Sequence, residues 1–154
     1  MDENEFAALA EGLKLRLYRT ALLYLGGEAP AVDAVDEAVY RGFLARKKLR
    51  EPDRFATWLT RILINVCNDE LRRRKRETAL EELPETAGEE FDALPLKTAV
   101  ERLPRDLRAV VVLRYFSGLT LDETAESLGL PVGTVSTRQR KALSLLRLEL
   151  TEEV

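Results

Sequence analysis

The chain has 154 residues, 45% of them apolar and 33% charged, with a formal net charge of −3. That length suits one ordinary domain or two small ones with a core, and the overall charge argues against a simple basic coat protein for DNA. It contains no histidine and a single cysteine, Cys67. This removes intramolecular disulfides, cysteine-based metal cages, and the usual general base and transition-metal ligand.

The N-terminus, MDENEFAALAEG, is acidic and lacks the basic-then-apolar order of a signal peptide. No apolar run approaches the ~20 residues of a membrane span, so a soluble, cytoplasmic chain without direct membrane insertion is expected. Residues 2–25 form the first predicted helix, with Phe6, Leu9, Leu13, Leu17, Ala21 and Leu25 every three or four residues and Gly26-Gly27 closing it. A second helix starts near Pro30, with Val32, Val35, Val39, Phe43 and Leu44 on its apolar side. Asp33, Asp36 and Glu37 gather acid in its first turns. On the residues alone they suit the helix dipole, while Asp33, Asp36, Glu37 and Tyr40 together could also form a docking patch for a basic partner.

Lys47–Asp53 is a short loop closed by Pro52, with Asp53 expected as an N-cap. The stretch 54–76, RFATWLTRILINVCNDELRRRKR, then reads as one helix of about six turns. Phe55, Leu59, Ile62, Leu63 and Val66 should face a core shared with the first two helices, in a bundle of the first three helices. Arg61, Asn65, Asp69, Arg72 and Arg76 form a polar ribbon that ends in five consecutive cations, Arg72 to Arg76. Two readings stay open here: a surface for nucleic acid, or an amphipathic helix with a solvated basic end. Phe55 and Trp58 are assigned to the core, and Cys67, mid-helix between apolar positions, to a buried inert thiol.

Residues 54–76 carry seven Lys/Arg and two acids, whereas residues 77–95 carry seven acids and no base. The second segment holds Pro84, Gly88 and Pro95 and reads as a flexible acidic linker, with a short helical turn at 78–83. It is either a plain tether or a polyanion that occupies a basic channel made for nucleic acid.

Leu96–Arg102 predicts a short helix. Pro104 opens the next, carried by Leu107, Val110, Val111 and Leu113 and stopped by Ser117-Gly118. Thr120 and Glu123 form a capping box ahead of a helix that runs to Gly129. After the turn Gly129-Leu130-Pro131, the last helix runs from near Gly133 to about Leu150, with Val135, Ala142, Leu143, Leu145 and Leu146 apolar. Helix, glycine turn, helix is the helix-turn-helix pattern. In that motif the second helix enters the major groove. Here it presents Thr134, Ser136, Thr137, Arg138, Gln139, Arg140 and Lys141. Arginine pairs bidentately with guanine and glutamine with adenine. No strand is predicted, because the valine-rich stretch 109–113 sits within helical periodicity.

Together these residues resemble a family. LPRDLRAVVVLRYFSGLTLDETAESLGLPVGTVSTRQRKAL is similar to the −35-reading domain of bacterial sigma factors. DAVDEAVYRGF, followed by REPDRFATWLTRILINVCNDELRRRKR, is similar to their −10-reading, polymerase-binding domain. Two such domains joined only by a linker resemble the extracytoplasmic-function group of the sigma-70 family, and LREPDRFATWLTRILINVCND is most similar to its SigV-like branch.

The resemblance implies an all-α chain of two small helical domains, residues 1–76 and 96–154, joined by the acidic linker 77–95. It implies that Asp33, Asp36, Glu37 and Tyr40 dock on the β′ clamp helices of core RNA polymerase, although the family usually has Gln where this chain has Asp36. It places −10 DNA on a base-capturing loop and the helix after it: Lys48, Arg50, Arg54, Arg61, Asn65, Asp69, Arg72 and Arg73. It places −35 DNA on Thr134, Ser136, Thr137, Arg138, Gln139 and Lys141. The family's Ser-Arg pair reads Thr137-Arg138 here, and Ser136 replaces a frequent basic residue. The linker would thread the polymerase's RNA-exit path. The implied partners are core polymerase, promoter DNA and an anti-sigma factor, with no cofactor, metal, small-molecule substrate or catalytic residue. The alternatives are a helix-turn-helix regulator that is not a sigma factor, and a protein-binding adaptor without DNA binding.

Overall fold

The computed structural model describes residues 1–80 and 95–152. Most of the acidic linker, and with it half of the helical turn expected at 78–83, lies outside the described residues; residues 78–80 belong to the end of the third helix. Among the described residues seven α-helices follow one another: α1 (Glu3–Leu25), α2 (Glu28–Leu44), α3 (Phe55–Leu80), α4 (Pro95–Arg102), α5 (Arg105–Val111), α6 (Leu121–Leu128) and α7 (Val132–Glu152). No strand occurs among the described residues, so the fold is all-helical as expected.

The helix ends follow local chemistry. Asp2 caps α1 by accepting from the Glu5 amide at 2.7 Å, and Gly26 closes it at φ 79°, a left-handed conformation. Pro30 stands in the first turn of α2, two residues inside the start at Glu28, where its missing N–H costs nothing. Asp53 is not a cap. Pro52–Arg54 form a 3-10 turn that runs directly into α3. At its far end α3 continues to Leu80 instead of stopping at Arg76, since no Gly or Pro intervenes. Helix α5 widens into a π-helical turn, Val112–Phe116, where the Ser117 amide reaches back to the Val112 carbonyl at 2.9 Å.

Helices α1, α2 and α3 bury Phe6, Leu13, Leu17, Val35, Phe55, Leu59, Leu63 and Val66 in one cluster. Phe6 meets Phe43 and Phe55 edge to face, at centroid distances of 5.7 and 5.5 Å. Ala109, Leu113 and Leu119, from beyond the linker, belong to the same cluster. The core is therefore not confined to the first three helices. Smaller clusters hold α4, α5 and α7 together through Val100, Leu107, Val111 and Ala142, and α5, α6 and α7 through Val110, Ala125 and Val135.

Several apolar positions expected inside are exposed: Leu9, Val32, Leu44, Leu143 and Leu145. Conversely Thr57, Thr60 and Ile64 are buried on α3 although none of them was part of its expected core stripe. They form a second buried stripe, beside the first.

The closest approach in the first bundle is at Gly42. A Cβ there would stand 2.7 Å from Leu59 Cδ1 and 3.3 Å from Phe6 Cζ. Gly42→Ala should therefore destabilise the chain by about 1–2 kcal/mol in urea unfolding, the overpacking outweighing the gain in helix propensity. Unchanged or greater stability would contradict this packing.

Candidate nucleic-acid interface

The helix-turn-helix is built by three local devices. Thr120 Oγ1 accepts from the Glu123 amide at 3.1 Å, while Glu123 Oε1 accepts from the Thr120 amide at 2.9 Å. This reciprocal box sets the start of α6. Gly129, at φ 67°, turns the chain out of α6, and the Leu130 amide closes back on the Ala125 carbonyl at 3.0 Å. The Pro131 carbonyl then takes the Thr134 and Val135 amides at 3.1 and 3.2 Å, starting α7. Val135 is fully buried against Val110 and Ala125, which fixes the roll of α7 and hence the side that carries its polar residues.

On that helix Thr137 and Lys141 are exposed, and Thr134, Ser136, Arg138 and Gln139 are half-buried. Thr137 Oγ1 donates to the Gly133 carbonyl at 3.0 Å, leaving its lone pairs available. Arg138 Nε lies 3.8 Å from Asp106 Oδ2. Gln139 Oε1 accepts from Arg114 Nε at 2.9 Å, and Arg114 also donates to the Leu119 carbonyl at 2.7 Å. Thus Arg138 and Gln139, the two side chains best suited to pairing with bases, both have partners within the chain.

The ribbon on α3 is also engaged. Arg54 grips both carboxylate oxygens of Glu126, on α6, at 2.8 and 2.7 Å and also meets Glu51 at 3.2 Å. The Glu126 bonds are the main reason its pKa lies above the ordinary arginine value. Arg61 approaches the glycine turn so closely that a Cβ on Gly129 would lie 3.1 Å from its Nη2. Asn65 and Asp69 are exposed. Asp69 accepts from Arg72 at 3.1 Å and pairs with Arg41 at 3.5 Å, and Arg41 holds Glu37 at 2.9 Å. Arg73 pairs with Glu70 and Glu77, each at 2.8 Å. Lys48 and Arg50 are exposed on the segment between α2 and α3.

Asp33, Asp36, Glu37 and Tyr40 are all exposed along α2. Asp33 and Glu37 share a cleft of about 490 Å³ with Arg41, Asp69, Glu70 and Arg73. The acidic face of α2 and the cationic end of α3 are therefore neighbours, bridged by Arg41. A second cleft, of about 290 Å³, is lined by Arg72 from the −10 set and Arg138 from the −35 set, with Tyr24, Asn68, Arg105 and Asp106. Thr137 and Lys141 are not among the residues lining it.

Sequence reasoning missed Tyr24, Asn68, Arg108 and Glu126. Tyr24 donates its hydroxyl to Asn68 Oδ1 at 2.8 Å, and burial above all pushes its pKa up to about 12. Arg108 donates to the Tyr24 carbonyl at 3.2 Å, and its burial lowers the guanidinium below its ordinary value. Glu126 holds Arg54. No motif signal marks these four for such contacts, and only the long-range fold brings them to the site. Cys67 is buried as expected, its thiol pushed up to about 12 chiefly by that burial. Among the described residues no group of His, Cys, Asp and Glu could hold a metal ion, and no helix is long and apolar enough to cross a membrane.

Comparison with known proteins bears on this geometry directly. The family models for Sigma-70 region 2 and Sigma-70 region 4 match residues 9–77 and 99–148. The RNA polymerase sigma factor SigV of Bacillus subtilis (strain 168) is 30% identical over an alignment spanning 91% of this chain and 87% of that protein. The ECF RNA polymerase sigma factor SigW of the same strain is also 30% identical, over 98% of this chain and 91% of its own. The chain belongs to the extracytoplasmic-function group of the sigma-70 family.

Region 2 of this sigma factor falls on α1 to α3, and region 4 on α4 to α7. SigV is one of several group members that it resembles. Two solved structures share its fold. The sigma factor RpoE, in complex with the anti-sigma factor NepR from Bartonella quintana, matches with TM-score 0.77 at 22% identity, over 94% of this chain and 97% of that one. CnrH, in complex with the cytosolic domain of CnrY, matches with TM-score 0.77 at 24% identity, over 99% and 92%. Family membership makes the chain a non-catalytic regulator of transcription, not an enzyme.

The capping box gives region 4 a pH signature. Bonds to Thr120, led by its backbone amide, hold the Glu123 carboxyl below the usual glutamate range. A lowered folded pKa means stability that is full above glutamate's ordinary value, near ~4.3, and lost as pH falls through the folded value. Glu123→Ala should cost about 1 kcal/mol at pH 7. In thermal unfolding the gap to the parent should narrow as the pH is lowered below that ordinary value. An equal gap at pH 7 and pH 3 would contradict the assignment.

Proposed function

We propose that this sigma factor joins core RNA polymerase through the exposed face of α2 formed by Asp33, Asp36, Glu37 and Tyr40, which would dock on the β′ clamp helices. In that complex it reads the −35 duplex with Thr134, Ser136, Thr137, Arg138, Gln139 and Lys141. It holds the −10 region with Lys48, Arg50, Arg54, Arg61, Asn65, Asp69, Arg72 and Arg73. The observation that carries this reading is the presence, in one chain, of an exposed acidic helix face bordering a cation-rich helix and of a helix-turn-helix whose second helix is polar at its start. A regulator that only bound duplex DNA would have no use for the first pair.

The chemistry of each surface fits its role. Exposed carboxylates on α2 suit a basic partner surface. Arg138 suits guanine and Gln139 adenine, once each leaves its internal partner. The α3 cations neutralise phosphates, and Asn65 offers both donor and acceptor to an unpaired base. RpoE and CnrH were solved with an anti-sigma factor and with the cytosolic domain of CnrY. We extend that kind of partner to this chain as well, and place it in the cytoplasm with the polymerase.

The decisive measurement is transcription by core polymerase from a genomic library, with and without the protein. New promoter-specific transcripts are expected, and their absence together with absence of polymerase binding would sink the reading. Arg138→Ala should weaken use of the −35 element by about 1–3 kcal/mol in promoter binding and leave the affinity for core polymerase unchanged. Loss of polymerase binding in this variant would remove Arg138 from the −35 set.

A further inference from the structure

We propose that the cleft lined by Arg72, Arg105 and Arg138 binds a small phosphate dianion, inorganic phosphate or diphosphate, which takes one arginine of each DNA-reading set out of use. The assignment of Arg72 and Arg138 to DNA rests on the sigma-factor reading above; the ion site itself does not. The first observation is a charge imbalance. Three guanidinium groups, from α3, α5 and α7, line one space of about 290 Å³, and Asp106 is the one carboxylate that lines it with them. Two positive charges are left in excess.

The second observation is a surplus of donors. Arg138 meets Asp106 through Nε at 3.8 Å, beyond hydrogen-bond length. Arg72 commits Nε to the Asn68 carbonyl at 3.4 Å and Nη2 to Asp69 at 3.1 Å, so Nη1 has no partner among the described residues. Arg105 makes no hydrogen bond or ion pair among the described residues. Asn68, also in the lining, accepts from the Tyr24 hydroxyl through Oδ1 at 2.8 Å, which leaves its amide NH2 as a further donor. The third observation is the placement of Arg105. It is exposed at the first position of α5, where a cation opposes the helix dipole. Its charge acts on the cleft instead. Burial pushes the Tyr24 pKa up to about 12, and Arg105 and Arg108 work against that rise.

The lining selects the class of ligand. Guanidinium forks match phosphate oxygens in paired bonds. The space is at the small end of the range for small-molecule sites, ~300–1,000 Å³. Tyr24 is the aromatic residue of the lining and is 1% exposed, so no ring face is offered to a nucleobase. These limits favour a bare phosphate ion over a nucleotide. Bound there, the ion engages Arg72 and Arg138 together, and neither can meet DNA until it leaves.

The direct test is calorimetric titration of the full chain with sodium diphosphate, against sodium chloride of matched ionic strength. One ion per chain is expected. Arg105→Ala should weaken binding about ten-fold or more, the loss of one charge-assisted contact. Arg105 is exposed and in neither DNA-reading set, so this variant should keep the thermal stability of the parent. Arg76→Ala removes an equal charge from α3 outside the cleft and should bind like the parent. Equal weakening by the two variants would reduce the effect to general charge attraction and overturn the site, as would the absence of a one-to-one isotherm. In a second measurement, at low salt, diphosphate should displace a labelled DNA duplex from the parent at several-fold lower concentration than from Arg105→Ala. Equal displacement would overturn the claim that the ion competes for Arg72 and Arg138. A parent that bound no duplex would instead overturn their assignment to DNA, with the titration still deciding the ion site.

Discussion

The structure depends on the burial of α3 along two adjacent stripes. Phe55, Leu59, Leu63 and Val66 face α1 and α2, while Thr57, Thr60, Ile64 and Cys67 form a second buried row beside them. At 3.6 residues per turn the two rows together cover roughly half of the helix circumference. What remains is the strip that carries Arg54, Arg61, Asn65, Asp69 and Arg72. One helix therefore serves as the spine of region 2, as the landing surface for α6, and as the carrier of the polar ribbon. Its three faces cannot be altered independently. Gly42 is the price of the first, since α2 can reach Leu59 only where it has no side chain. Thr57 and Thr60 suit the second: threonines pack like small apolar groups and still satisfy backbone groups within hydrogen-bond reach.

Electrostatics then decides what the ribbon offers. Five consecutive cations suggest a strongly positive end, yet Arg72 meets Asp69, Arg73 meets Glu70 and Glu77, and Arg74 meets Glu70. These are mostly exposed pairs at helical spacing, individually weak and screened by solvent. They orient the guanidinium groups at little cost and yield readily to a phosphate, which binds arginine in the same forked geometry. The link from Asp69 through Arg41 to Glu37 extends this order to the acidic face of α2. The acidic face of α2 thus shares a charge network with the proposed DNA-facing ribbon of α3.

Much of this was legible in the sequence, because it depends on local chemistry. The helix breaks at Gly26 and Gly129, the box of Thr120 and Glu123, the first apolar stripe of α3 and the buried state of Cys67 all follow from residues a few positions apart. Most of the readings that failed were those where a distant element decides. Asp53 is the local exception: it became part of a 3-10 turn because Pro52 winds straight into α3. Leu9, Val32 and Leu44 match the helical period but have no neighbour to cover them. Thr57 and Thr60 look polar, and their burial follows only from the arrival of α6. Tyr24, Arg108 and Glu126 carry no motif, and their roles arise from contacts across 44, 84 and 72 positions of sequence respectively. The relation of region 4 to region 2 had no signature at all, since it is written in single residues spread over both.

The contact between region 4 and region 2 is mixed in character. Its polar contacts are individually weak, but returning leucines such as Leu113 and Leu119 to water costs about 1.5–3 kcal/mol apiece at full exposure.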